Sequence, residues 1–254
     1  MMKIEKLGVQ LFTVRDFMNT EKDIAETFKK LKALGYDQAQ TAGYSVDYET
    51  FGKLAEEAGI EIVGTHDDYD MMCNDFDKAL ANHNALGTKI MGLGGYGDRT
   101  VSGYADFIKN ANIIGEKLKK TTGGRYSYHN HHWEFIKLEN GKTAMEMLME
   151  GLNPDTTSFC LDTHWVQRAG ADVREWIEKL SGRIDIIHLK DFKLHSDGTP
   201  DYAELGQGNM NWEGILECAA KAGVKYYVVE QDVCPGDPFE SLKISSEYMH
   251  KYFM

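Results

Sequence analysis

Residues 31–40 are LKALGYDQAQ, and the chain repeats this phrase in two other places. Residues 55–64 are AEEAGIEIVG, and residues 219–229 are AAKAGVKYYVV. In each phrase a helical pattern ends on Leu-Gly or Ala-Gly, and a strand-like pattern begins at once. This recurrence predicts stacked β-α units that are joined by very short loops.

The same alternation continues outward from these phrases to both ends of the chain. Strands are predicted at 6–11, 37–41, 61–66, 89–93, 126–131, 158–162, 184–190 and 226–230. Helices are predicted near 21–34, 47–58, 74–86, 102–120, 143–150, 171–180, 211–222 and 238–252. Eight such units in a chain of 254 residues predict a single (β/α)8 TIM barrel over residues 1–254, since such barrels have about 250 residues. A doubly wound open sheet is the alternative, but residues 13–16 are TVRD where that fold needs a glycine-rich phosphate loop.

Composition excludes several classes of protein. Twenty-eight basic and 40 acidic residues give a net charge of −12, which disfavours binding to nucleic acid or to anionic lipid. The sequence has no long apolar run and no signal-peptide pattern at its start, and its 4 cysteines are scattered. We therefore expect a cytoplasmic globular protein with no membrane partner and no nucleic-acid partner.

Polar side chains follow the predicted strands, at the end of a barrel where active sites form. The residues at these strand ends are Gln10, Gln40, His66, Gly94, His129 with His131, Asp162, His188 with Lys190, and Glu230. Imidazoles and carboxylates without a thiolate pair are typical ligands of Mn²⁺, Co²⁺, Mg²⁺ or Zn²⁺. The sequence therefore predicts one divalent metal ion at this rim, although a helix N-cap is the structural alternative for Asp162.

A metal ion at such a rim suits chemistry on a hydroxy-ketone, because it stabilises the enediolate that forms when a proton leaves carbon. Isomerisation, epimerisation and elimination of a β-substituent all remain open at this point. Lys190 lies two residues after His188 on the same strand face and favours an anionic or carbonyl substrate. Trp133 and Trp165 are candidates for stacking on a sugar, with ordinary packing as the alternative. Residues 191–210 have little regular pattern and are expected to cover the site.

With these residues in view, the chain resembles the xylose isomerase-like TIM-barrel superfamily, in the sugar phosphate isomerase/epimerase group. The motifs that carry the resemblance are LGVQLFTVRD (7–16), YHNHHWEF (128–135), LDTHWVQRAG (161–170), RIDIIHLKD (183–191), LGQGNMNW (205–212) and YYVVEQD (226–232).

The resemblance implies one divalent metal ion held by Asp162, His188 and Glu230. The fourth ligand is His129 or Glu134, because ketose 3-epimerases have a glutamate where this chain has His129. His66, His131, Lys190 and Glu134 are the candidate catalytic residues, and Gln10, Gln40, Trp133 and Trp165 are candidates for binding substrate. The HNHxxEF form of residues 129–135 is similar to inosose dehydratase-like members and to proteins that act on 3-keto-sugars.

The function predicted from these observations is that of a metal-dependent isomerase or epimerase of a keto-sugar or sugar phosphate, acting through an enediolate. One alternative is a metal-dependent dehydratase or lyase of an inosose or 3-keto-glycoside, and another is a non-catalytic sugar-binding barrel. The superfamily also contains a three-zinc apurinic endonuclease, but the charge of −12 and the smaller ligand set disfavour that activity here. The expected partner is a small sugar, and a homo-oligomer remains open.

Overall fold

The computed structural model describes residues 3–43 and 45–254. Within these ranges, the strands in chain order are β1 Gly8–Gln10, β2 Gln38–Gln40, β3 Glu61–Gly64, β4 Ile90–Leu93, β5 Arg125–His129, β6 Thr157–Asp162, β7 Ile184–Leu189, β8 Asp191–Leu194, β9 Pro200–Ala203 and β10 Tyr226–Val229. The helices are α1 Glu21–Ala33, α2 Tyr48–Glu57, α3 Tyr69–Asn74, α4 Phe76–Ala85, α5 Val101–Thr122, α6 Ala144–Gly151, α7 Thr163–Arg168, α8 Val173–Lys179, α9 Trp212–Lys221 and α10 Pro238–Tyr252. Short 3₁₀ helices lie at Leu11–Phe17 and Trp133–Phe135.

Eight parallel strands form a nearly closed barrel with helices between them. Their order is β3-β2-β1-β10-β7-β6-β5-β4. The two ends of this sheet meet just beyond β3, where Thr65 N donates to Ile90 O at 3.1 Å and Asp67 N donates to Gly92 O at 2.9 Å. The predicted (β/α)8 TIM barrel is confirmed, and each predicted strand overlaps one of the eight barrel strands.

The repeated helix–glycine–strand phrases form the tight turns that the sequence predicted. Thr20 begins α1 as its N-cap, accepting a hydrogen bond from Asp23 N at 3.1 Å. Gly35 and Gly223 then end α1 and α9 with φ values of +90° and +76°, which a residue with a Cβ rarely adopts. The following strand therefore begins within a few residues and returns to the barrel.

Beneath the site, the barrel interior is filled by one apolar layer. Its residues are Val63, Ile90, Cys160, Ile186 and Val228. Three of them precede Asp162, His188 and Glu230 by two residues, so they share the inward strand face with those polar side chains. The larger core packs the outer strand faces against the surrounding helices. The apolar side chains therefore lie directly below the polar ones inside the barrel.

Residues 191–210 differ from the expectation of little regular structure. Asp191–Leu194 pairs antiparallel with Pro200–Ala203 in a two-stranded hairpin. Tyr202 of this hairpin stacks on His164 at a ring-centroid distance of 4.5 Å and contacts Trp165 at 6.0 Å. The sequence pattern is weak here because a two-stranded ribbon that packs on a rim has no continuous apolar face. Among the described residues, none of the helices combines the length and apolar character needed to cross a membrane.

His83 on α4 gives the fold a pH dependence that can be measured. It is fully buried, and burial lowers its pKa from 6.5 to about 4. Between these values the unfolded chain binds a proton that the folded chain does not, so this contribution to stability is present above pH 6.5 and is lost as the pH falls toward 4. In urea unfolding, we expect wild type to lose about 3 kcal/mol more stability than His83→Phe between pH 7 and pH 4. Parallel pH profiles of the two proteins would contradict this assignment.

Candidate active site

Four ligand-type side chains meet at the carboxyl end of the barrel. His129 ends β5, Asp162 ends β6, His188 lies near the end of β7, and Glu230 follows β10. One nitrogen or oxygen atom from each lies within 4.8 Å of the corresponding atoms of the other three. Their exposed fractions are 3%, 0%, 0% and 6%. We call these four residues the ligand cluster.

Hydrogen bonds orient the two imidazoles of the ligand cluster. His129 Nδ1 lies 3.0 Å from Gly94 O, and its Nε2 lies 3.3 Å from Asp162 Oδ2. His188 Nε2 lies 2.5 Å from Gln40 Oε1 and donates to it. This leaves His188 Nδ1 facing Glu230 Oε2 at 2.8 Å and Asp162 Oδ2 at 3.6 Å.

This arrangement fits a cation. Two imidazole rings and two carboxylates converge, and His188 Nδ1 lies 2.8 Å from Glu230 Oε2. A histidine whose other nitrogen donates to an oxygen is the form that ligates metals in proteins. The ligand cluster offers two nitrogen and two carboxylate groups, a set compatible with Mn²⁺, Co²⁺, Zn²⁺ or Mg²⁺.

Asp162 is placed both to cap a helix and to take part in the ligand cluster, the two alternatives that the sequence left open. Its Oδ1 accepts a hydrogen bond from Trp165 N at 3.0 Å and caps α7. Its Oδ2 faces His129 and His188 in the ligand cluster. The N-cap bond therefore fixes the rotamer that places the second oxygen at the cluster.

Lys190 brings a buried positive charge to the same place. Its Nζ lies 2.8 Å from Asp162 Oδ2, 2.8 Å from Glu230 Oε2 and 2.9 Å from Asp232 Oδ1. Burial would lower the pKa of this ammonium, but the three carboxylates outweigh burial and raise it well above its ordinary value. Conversely, burial would raise the pKa values of Asp162 and Glu230, and the charge of Lys190 holds both well below their usual range.

A cavity of about 660 Å³ opens above the ligand cluster. Of the predicted site residues, it is lined by His66, His129, His131, Trp133, Trp165, Lys190 and Glu230. Phe12, Asp67 and Asp232 also line it, and the sequence analysis assigned neither aspartate to the site. Asp232 was recognisable in principle, because it follows Glu230 by two residues and so continues the same alternation.

His66 and His131 line this cavity, and both imidazoles are neutral. Burial lowers the pKa of His131 to about 2, and the neighbouring His129 adds to the shift. Burial also holds the pKa of His66 well below its ordinary value, with His129 and His188 adding to it. His66 Nε2 and His131 Nδ1 lack hydrogen-bond partners among the residues described. Both atoms are buried polar groups beside the cavity.

Three predicted site residues support histidines instead of facing the cavity. Glu134 is fully buried, and its carboxylate accepts hydrogen bonds from Tyr128 Oη at 2.6 Å and from His131 N at 2.8 Å. Gln40 accepts from His188, and Gln10 lies 3.4 Å from His66 Nδ1. Of the two alternatives for the fourth ligand, His129 is the residue that lies in the ligand cluster.

The two tryptophans form part of the cavity wall, but their rings are already packed. Trp133 stacks on His131 at 4.1 Å and 12°, and the Arg99 guanidinium lies 3.8 Å from its ring centroid. Trp165 is 7% exposed. In residues 3–43 and 45–254, neither indole nitrogen has a hydrogen-bond partner. Both N–H groups are buried in the cavity wall.

Solved structures share this fold at low sequence identity. A sugar phosphate isomerase/epimerase from Parabacteroides distasonis superposes with a TM-score of 0.82 at 23% identity, covering 98% of this chain and 94% of that one. A xylose isomerase-like TIM barrel protein from Mycobacterium smegmatis in complex with magnesium gives 0.73 at 14%, covering 97% and 95%. A probable 3-DHS dehydratase from Bacillus anthracis gives 0.71 at 15%, covering 96% and 98%. A comparison with curated proteins found no significant match.

The chain also matches the model of a protein family. The model described as xylose isomerase-like TIM barrel matches residues 28–251, which include the whole ligand cluster. The match extends over most of the chain, and it agrees with the eight-stranded barrel and with the motifs that first suggested the resemblance. This chain belongs to the xylose isomerase-like TIM barrel family.

Proposed function

We propose that this chain is a divalent-metal-dependent isomerase or epimerase of a keto-sugar. The observation that carries the proposal is the ligand cluster of His129, Asp162, His188 and Glu230 at the floor of a cavity of about 660 Å³. That volume lies within the range of pockets that hold small molecules. The fold neighbours, which include a protein named as a sugar phosphate isomerase/epimerase, support the same class of substrate.

The ligand cluster would hold the metal ion, which when bound stabilises the negative charge of an enediolate. The chain's own residues then move the proton. His66 and His131 line the cavity in the neutral form, and we assign to one of them the role of accepting the proton from the carbon beside the carbonyl. Returning that proton to the neighbouring carbon gives isomerisation, and returning it to the opposite face gives epimerisation.

The remaining residues bind and orient. Lys190 carries three buried ion pairs and donates to a substrate oxygen. Trp133 and Trp165 donate their indole N–H groups to hydroxyls. Glu134 holds the backbone of His131, and Gln40 holds His188. We assign these last two residues to positioning.

Lys190 also supports a second candidate, a lyase acting on an inosose or a 3-keto-glycoside. In that reaction a histidine takes the proton beside the ketone, the bond from the β-carbon to its oxygen substituent breaks, and Lys190 protonates the leaving oxygen. The products are an enone and water or an alcohol. The carboxylates around Lys190 raise its pKa well above the ordinary value, so Lys190 carries the proton that this step transfers.

Proton exchange in D₂O tests both candidates. EDTA-treated protein is reloaded with Mn²⁺ and incubated with a panel of ketoses and 3-keto-glycosides, and the products are followed by NMR and mass spectrometry. Deuterium at a carbon beside the carbonyl, without loss of a substituent, supports the isomerase or epimerase. Loss of water or of an alcohol supports the lyase. Ligand binding without exchange indicates a sugar-binding barrel, and full activity after metal removal contradicts metal dependence.

A further inference from the structure

The ammonium of Lys190 contacts the same carboxylate oxygens that a metal ion in the ligand cluster would bind. It lies 2.8 Å from Asp162 Oδ2 and 2.8 Å from Glu230 Oε2, and both carboxylates belong to the ligand cluster. Its third partner, Asp232, lies outside the ligand cluster and lines the cavity. Lys190 is 1% exposed, so water screens this charge only weakly.

A divalent ion and this ammonium cannot share the same two oxygens at such distances. Their mutual repulsion in a buried site is strong, because charges separated by a few ångströms are poorly screened there. Without either cation, the buried carboxylates would also repel each other. Each cation therefore stabilises the cluster in the absence of the other.

Building on the proposed function, we propose that Lys190 and the metal ion exchange at the ligand cluster. When the ion binds, the ammonium leaves Asp162 and Glu230 and stays paired with Asp232 at the cavity wall. Lys190 Nζ already lies 5.2 Å from the ring centroid of Trp165, another wall residue, so the lysine needs only a local side-chain movement. The lysine then contacts substrate only after the ion is bound.

This exchange has two measurable consequences. Lys190 lowers metal affinity, because the incoming ion must displace a bound cation. It also stabilises the protein when no metal ion is bound, because it neutralises buried carboxylates.

The test is the affinity for Mn²⁺, measured by calorimetry on EDTA-treated full-length protein at constant pH. We expect Lys190→Met to bind Mn²⁺ about tenfold or more tightly than wild type, because no cation has to be displaced. Its urea midpoint should be lower than that of wild type without metal, and Mn²⁺ should raise it by more. Lys225→Met is the matched control: Lys225 pairs with the buried carboxylate of Asp185 at 2.8 Å, outside the ligand cluster, and its loss should leave Mn²⁺ affinity unchanged.

Asp232 provides a second measurement. If Asp232 receives the displaced ammonium, Asp232→Asn weakens Mn²⁺ binding in wild type and has little effect in the Lys190→Met background. A simple loss of negative charge near the ion would instead weaken binding equally in both backgrounds. Lys190→Gln replaces Lys190→Met if the methionine variant does not fold without metal.

The outcomes separate this inference from the proposed function. Equal or weaker Mn²⁺ binding by Lys190→Met, with wild type binding normally, overturns the exchange and leaves the metal-dependent enzyme in place. Absence of binding by both proteins to Mn²⁺, Co²⁺, Mg²⁺ and Zn²⁺ overturns both. Binding of Mn²⁺ by Lys190→Met but not by wild type also supports the exchange, because Lys190 then prevents the ion from binding.

Discussion

Replacing Asp162 with asparagine should weaken Mn²⁺ binding by about a hundredfold or more and reduce turnover at least as much. Even residues that only support metal ligands contribute roughly 10–100-fold to metal affinity, and Asp162 is expected to be a direct ligand. The change removes the charge of Oδ2 from the ligand cluster. It keeps an oxygen at Oδ1 for the hydrogen bond from Trp165 N, so α7 keeps its cap.

Asp172→Asn is the matched control for this substitution. Asp172 is the N-cap of α8 and accepts hydrogen bonds from Arg174 N and Glu175 N, but it is exposed and lies outside the ligand cluster. The same chemical change there should leave Mn²⁺ affinity and turnover within about twofold of wild type. Calorimetry gives the affinity, and near-UV circular dichroism verifies the fold. Asp162→Asn with wild-type affinity would remove the ligand cluster as the metal site.

The fold was predictable because every β-α unit carries its own local signal. The repeated phrases around Gly35, Gly59 and Gly223 specify where a helix ends and a strand begins, and eight β-α units in about 250 residues are typical of a barrel. Once the topology is given, the ends of parallel strands must meet at one rim. His129, Asp162, His188 and Glu230 were therefore predicted to lie together from positions up to 101 residues apart in the chain.

What the sequence did not reveal depends on contacts between side chains. Glu134 was a candidate ligand by spacing, but its bonds to Tyr128 and His131 N turn it toward the core. Asp232 continues the alternation of β10 after Glu230, but only the structure shows its ion pair with Lys190. Such assignments depend on rotamers and loop paths, which no periodic pattern encodes.

Asp191→Ala should destabilise the protein by about 3 kcal/mol or more, because each buried N–H donor left without an acceptor costs about 1–3 kcal/mol. Asp191 is fully buried, and its carboxylate accepts five hydrogen bonds. The donors are Phe192 N at 2.8 Å, Gly206 N at 2.9 Å, Gly208 N at 3.1 Å, Met210 N at 3.4 Å and Trp212 Nε1 at 2.8 Å. The LGQGNMNW motif thus wraps one carboxylate, and a Cβ on Gly208 would lie 2.2 Å from Asp191 Oδ1.

Asp191→Asn distinguishes loss of charge from loss of volume. An amide nitrogen at either position would face at least two N–H donors, so we expect a destabilisation of about 2 kcal/mol or more from unpaired buried groups. Asp201→Asn, on the same hairpin but in a half-exposed pair with His195, should cost below about 1 kcal/mol in urea unfolding. Because Asp191 directly follows Lys190, loosening this loop should also reduce turnover without changing the ligand cluster itself. An Asp191→Asn protein as stable as Asp201→Asn would show that the five donors are satisfied by other groups.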